Sequence, residues 1–231
     1  MIYLLALLLL VLLIYAPQLW IKYVLAKHAT PLAHLPGTGG ELASHLIERF
    51  QLSGVGVETT APNTDHYDDR DKMVRLSPDI FHGKSLTAIA VAAHEVGHAI
   101  QYHRQEKITR LRQRYTPLAL RLERIAIGIL FAMPLITALL RVPQAALLAA
   151  LVGVIGMLAS VLVQFIILPL EWDASFNKAL PILVNGGYID NTQEKAVRQV
   201  LRAAAFTYVA GALANILRLW RWLAILRGAI R

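Results

Sequence analysis

The run His94-Glu95-Val96-Gly97-His98 sets two imidazoles four residues apart, with a carboxylate directly after the first. On an α-helix, positions i and i+4 share one face, so both rings can reach one metal ion. Glu95 then stands beside that metal, where a carboxylate can take a proton from bound water. This HExxH spacing is that of hydrolytic zinc sites. The preceding residues supply the helix that must carry it. His82-Gly83-Lys84-Ser85 breaks the chain and Ser85 is a suitable N-cap. Leu86 to Ala93 is then apolar and small, which predicts a buried helix over about residues 85–104. Gly97 inside it costs about 1 kcal/mol against alanine. It is either a tolerated glycine or the point where another segment comes close.

The 231 residues are 56% hydrophobic and include no cysteine. Disulfides and thiolate ligands are therefore excluded, and one zinc ion per chain has to be held by histidine and carboxylate. The formal charge of +8 does not point to nucleic acid, because the basic residues flank apolar segments, as at anionic headgroups. Three segments have the length and purity of membrane helices: 1–21, 118–170 read as a hairpin of 118–140 and 145–170, with Arg141-Val142-Pro143-Gln144 as its turn. The first lacks a basic start and a cleavage site, so it reads as an uncleaved anchor. A fourth stretch, 203–226, carries Asn215, Arg218 and Arg221, with Trp220 and Trp222 placed like an interfacial belt. It spans, re-enters or lies on the surface.

A catalytic zinc site needs a third protein ligand and an open position for water. Glu171, ending the third apolar segment in Leu168-Pro169-Leu170-Glu171-Trp172-Asp173-Ala174-Ser175, is the candidate. Two crossings separate it from His98, so both lie on one side of the bilayer. Asp173 is the alternative, as ligand or as a group orienting His94 or His98. Lys22 and Lys27 follow the first span, and Lys107, Arg110, Arg112, Arg114, Arg121 and Arg124 precede the second, against Arg141 alone at the far side. The positive-inside rule places the metal site in the cytoplasm of a multi-pass inner-membrane protein. If 203–226 spans, Arg227 and Arg231 fall outside, against that rule.

The predicted organisation is an anchor (1–21), a cytoplasmic zincin-like region (22–117), the hairpin (118–170), a third-ligand helix with the segment after it (171–202), and a C-terminal apolar helix (203–231). The fold class is mainly α and membrane-integral, with three to four membrane helices. Within the long loop, the spacing of Leu42, Leu46, Ile47 and Phe50 predicts an amphipathic helix over 41–52. Val55–Thr59 and Met73–Leu76 read as strands of a small hairpin or sheet, with Asp68-Asp69-Arg70-Asp71 as the turn into the second. Such a pair offers an edge to which an extended peptide can add, or merely covers the helix. His66, in Asp65-His66-Tyr67-Asp68, reads as structural or substrate-side. His28, His34, His45, His82 and His103 read as solvent or interface histidines.

Asp65-His66-Tyr67-Asp68, Val74-Arg75-Leu76-Ser77-Pro78, Ala90 to Gln101, Leu170 to Ser175 and Val200 to Ala210 together resemble the bacterial YugP-type membrane zinc metallopeptidases over nearly the whole chain. More distantly the chain is similar to HtpX-like and prenyl-protein-processing peptidases, whose downstream glutamate lies in E-x-x-A-D. Ser175 stands here where those have aspartate. The resemblance implies a peptidase and names no substrate. The residues point to a metalloendopeptidase with Zn²⁺ on His94, His98 and Glu171 and Glu95 as general base, and its place at the headgroup level points to membrane or membrane-proximal protein substrates. Tyr208, Arg198, Arg202 and His66 are candidates for steadying the oxyanion. Arg198 is preferred, because the remote relatives carry a basic residue in a similar downstream helix. The competing readings are an inactive, zinc-stabilised membrane scaffold and a zinc hydrolase of a lipid-linked amide. Glu95 speaks against the scaffold, since a structural site needs no base beside its metal.

Overall fold

The computed structural model describes residues 2–140 and 143–229. The chain is mainly helical with one three-stranded sheet: α1 (Ile2–Lys27), α2 (Gly39–Arg49), β1 (Gly56–Thr59), β2 (His66–Asp68), β3 (Met73–Leu76), α3 (Pro78–Phe81), α4 (Leu86–His103), α5 (Lys107–Leu140), α6 (Pro143–Trp172), a π-helical segment (Asp173–Ala179), α7 (Leu180–Asn185) and α8 (Asn191–Ala229). It divides into two compact units, one of residues 17–110 and 168–207, the other of 1–16, 111–167 and 208–231.

In the first unit, α4 is the central element. Ser85 caps it, its hydroxyl accepting from the Ala88 amide at 3.1 Å. Every residue from Leu86 to Gln101 is buried, as expected of a helix that is apolar on all sides. Helix α2 packs along it, and the π segment packs against it too. The start of α2 is a capping box, Thr38 and Glu41 each receiving the other's amide, and Leu42, Ala43 and Leu46 form its buried face. It begins two residues earlier than its apolar spacing suggests, because Gly39 fits where a side chain cannot. A Cβ there would stand 2.3 Å from the Ile80 carbonyl oxygen. It ends earlier too, since Gln51 turns into the left-handed region at φ 53°.

The sheet has the order β1-β3-β2. Both expected strands are present, but they pair in parallel, so they are not a hairpin. A parallel pair cannot be closed by a tight turn, and the connection supplies β2, antiparallel on the other side of β3. That third strand is short and polar and has no alternating pattern to betray it. Arg75 on β3 holds all three strands, reaching Glu58 of β1 (2.5 Å), Asp68 of β2, and Asp71 in the turn (2.7 Å). The turn is the expected one, Asp68 accepting from the Arg70 and Asp71 amides. Tyr67 points inward beside Tyr102. Burial, with Asp69 and Asp68 nearby, pushes its phenol up to about 12.

In the second unit, Ala119, Val163 and Ile167 form a buried cluster on which Tyr115 and Tyr208 pack. Gly156 lets α5 and α6 approach, since a Cβ there would meet that of Ala126 at 2.8 Å. Outward, Phe131, Leu135, Leu148 and Leu162 are 63–70% exposed. Among the described residues, Leu151–Asn185 is long and apolar enough to cross a membrane. The stretch 203–226 continues α8 without a break. Arg141, Val142 and Arg231 lie outside the described residues, as do the side chains of Asn215, Arg218, Trp220, Arg221, Trp222 and Arg227.

Candidate metal centre

Two elements of one unit deliver the site. Helix α4 turns His94 and His98 to the same side, their rings edge to face with centroids 4.7 Å apart. The last turn of α6 brings in Glu171. His94, His98 and Glu171 are 4%, 2% and 2% exposed, and their ligand atoms all lie within 4.8 Å of one another. Glu171 Oε2 is 3.4 Å from His94 Nε2 and 3.1 Å from His98 Nε2. Tetrahedral zinc with ligand bonds of about 2.1 Å separates neighbouring ligand atoms by about 3.4 Å, so these two spacings fit that ion. Glu171 is thus a carboxylate with almost no access to water, facing two ring nitrogens. A carboxylate in so dry a place suits a cation partner.

The outward nitrogens of both rings are bonded to protein. His94 Nδ1 is 3.0 Å from Ser175 Oγ, which also lies 3.2 Å from the Leu201 carbonyl oxygen. The serine hydrogen goes to Leu201, leaving its oxygen to accept from the imidazole. His98 Nδ1 is 2.9 Å from Gln101 Oε1. Both Nε2 atoms therefore face Glu171 as ligand atoms do, with their partners fixing ring orientation from behind. Gly97 is the point of closest approach, a Cβ there falling 2.8 Å from the Ala174 carbonyl oxygen. A larger residue would hold the π segment, and with it Ser175, away from His94.

The family model described as "putative neutral zinc metallopeptidase" matches residues 3–227. The chain belongs to this family. Its curated relatives include the "putative membrane protease YugP" of Bacillus subtilis (strain 168), 35% identical over 209 residues, which are 90% of this chain and 89% of that protein. No solved structure matches the chain.

The remaining candidates of this zinc-metallopeptidase family member have settings of their own. Asp173 is not among the gathered ligands. Its oxygens receive Gln101, Asn177 and Lys178. Arg198 is exposed and paired with Glu194 one turn back on α8, at 2.6 Å. Arg202 is exposed, and Tyr208 packs on Ala119, Val163 and Ile167. His66 bonds the Thr64 carbonyl oxygen at 2.6 Å. His28, His34 and His45 meet Gln199, Gln193 and Tyr188, tying the chain before and within α2 to the start of α8 and the loop before it. Glu95 is buried, at 7% exposure, between the two histidines. Sequence reasoning gave no part to Gln101, Lys178 or Glu106. Gln101 had a signal: it lies three residues after His98 and seven after His94, so it shares their helix face. Lys178 and Glu106 had none, since only the fold brings them together.

Proposed function

We propose that the protein is a membrane-bound zinc-dependent metalloendopeptidase. The observation that carries this reading is the convergence of His94 Nε2, His98 Nε2 and Glu171 Oε2 within 4.8 Å, all buried, with Glu171 at tetrahedral edge spacing from both rings, beside a glutamate at the position of a general base. Zinc held there would polarise a water and a carbonyl oxygen and bring the water's pKa toward about 7. Glu95 accepts the proton of that water and passes it to the leaving amine. Family membership supports the peptidase class, and the absence of cysteine fits the His-His-Glu ligand set.

The outward apolar side chains of α5 and α6 support a membrane setting, with three to four spans and the metal site on the cytoplasmic side, as the lysines and arginines beside the spans favour. An extended substrate segment adds to an outer edge of the sheet, β1 or β2. Arg198 has to leave Glu194 before it can serve an oxyanion. The test is metal content and casein hydrolysis on detergent-purified wild type, Glu95→Gln and Glu171→Ala. We expect one zinc and cleavage in wild type, zinc without cleavage in Glu95→Gln, and no zinc in Glu171→Ala. Wild type that binds zinc while Glu95→Gln changes nothing would return the site to a structural role.

A further inference from the structure

We propose that Gln101 is a positioning residue that fixes the tautomer of His98, and that Asp173 and Lys178 fix which way the Gln101 amide faces. The proposal rests on reading His98 as a metal ligand. The two ends of a glutamine amide have the same shape, so its orientation follows from its partners. One end of Gln101 lies 3.0 Å from the Leu170 carbonyl oxygen and 2.8 Å from Asp173 Oδ2. Both partners are acceptors. That end must be the NH₂, and its two hydrogens are used one on each.

The other end is then Oε1, an acceptor, 2.9 Å from His98 Nδ1. The ring nitrogen facing it has to carry the proton. Nε2 faces Glu171 Oε2, 3.1 Å away. With the Nδ1 proton held by Gln101, a cation bound between these two atoms would leave Nε2 unprotonated as its ligand. Reversing the amide would set an oxygen against two acceptors in a side chain with 0% exposure, an arrangement penalised on both contacts. The chain of constraint extends outward. Asp173 also receives Asn177 on Oδ1 and Lys178 on Oδ2, and Lys178 reaches Glu106 at 3.0 Å. Lys178 thus anchors the carboxylate that anchors the amide. Gln101 is also a clasp: it hangs from α4 and holds the carbonyl of Leu170, the residue before the Glu171 ligand, so one side chain sets both halves of the site.

Gln101→Leu is the discriminating variant. It keeps the volume but removes the acceptor behind His98 Nδ1. In metal-free protein labelled with ¹⁵N-histidine, in mildly alkaline buffer, the ring nitrogens report where the proton sits. We expect a proton on His98 Nδ1 in wild type and its loss in Gln101→Leu, where Nε2–H donates to Glu171 instead. Zinc affinity, measured by competition with a chelator, should fall about 10- to 100-fold in Gln101→Leu. Asp173→Ala should lower it less, because the Leu170 carbonyl still holds one hydrogen of the amide. Gln101→Leu with an unchanged proton on Nδ1 and unchanged zinc affinity would overturn the proposal. Wild type that takes up no zinc, while Gln101→Leu still loses the Nδ1 proton, would overturn the metal-site reading and leave the role of Gln101 standing.

Discussion

At the scale of single residues, the site consists of groups whose neighbours leave them few alternatives. Glu95→Gln should reduce casein hydrolysis at least about 100-fold while zinc stays bound, since only the proton acceptor is lost. Ser175→Ala removes the acceptor behind His94 and should weaken zinc about 10- to 100-fold, read by chelator competition. Arg198→Ala, on a side chain engaged with Glu194, separates a surface pair from an oxyanion donor: a kcat within about twofold of wild type marks the former. The ligand pattern was legible because its geometry is local. The i, i+4 rule places two imidazoles together without reference to the rest of the fold. Ser175 was read only as a departure from aspartate, because its use depends on Leu201, 26 residues further on. Glu171 was reached from an expected count of crossings, and the fold gathers it with the two histidines.

Elements show the same division. The motif helix and the amphipathic helix could be read because capping and periodicity are written in neighbouring residues. Ser85→Ala should lower stability by about 1 kcal/mol in thermal unfolding, since one amide at the start of α4 loses its partner. Gly97→Ala places a methyl 2.8 Å from the Ala174 carbonyl oxygen. The resulting overpacking of about 1–3 kcal/mol exceeds the helix-propensity gain of about 1 kcal/mol, so the variant should melt earlier and bind zinc more weakly. What could not be read was the pairing. Nothing in Gly56–Thr59 and Met73–Leu76 says that they run parallel, because that depends on where the chain between them goes. The π turn after Glu171 was equally hidden, since it follows from packing and no residue preference marks it.

For the whole molecule, metal and fold should be linked. Zinc at a hundred times its dissociation constant adds about 2.7 kcal/mol to the folded state, which for a chain of this size raises Tm by about 5–10 °C. A chelator should remove that increment, and Glu171→Ala should lack it. The cysteine-free sequence makes orientation directly measurable with introduced single cysteines. In intact cells an impermeant maleimide should label Arg141→Cys and spare His82→Cys. The reverse pattern would place the metal site outside. The apolar segments were visible in composition, and among the described residues Leu151–Asn185 is long and apolar enough to cross a membrane, whereas the division into two units, one of three and one of two separate stretches of chain, depends on contacts between residues far apart in sequence.

The wide turn after α6 governs angular phase. Glu171, Ser175, Ala179 and Leu183 are spaced by four and are all buried, at 2% exposure or less. In a regular α-helix of 3.6 residues per turn, each step of four overruns the turn by about 40°, so three steps would rotate the row by about 120°. The π segment between Asp173 and Ala179 winds more slowly and takes that rotation back. It acts as a vernier: one surplus residue resets the screw, so that the rod bearing Glu171 keeps a single side toward α4 for the length of the unit.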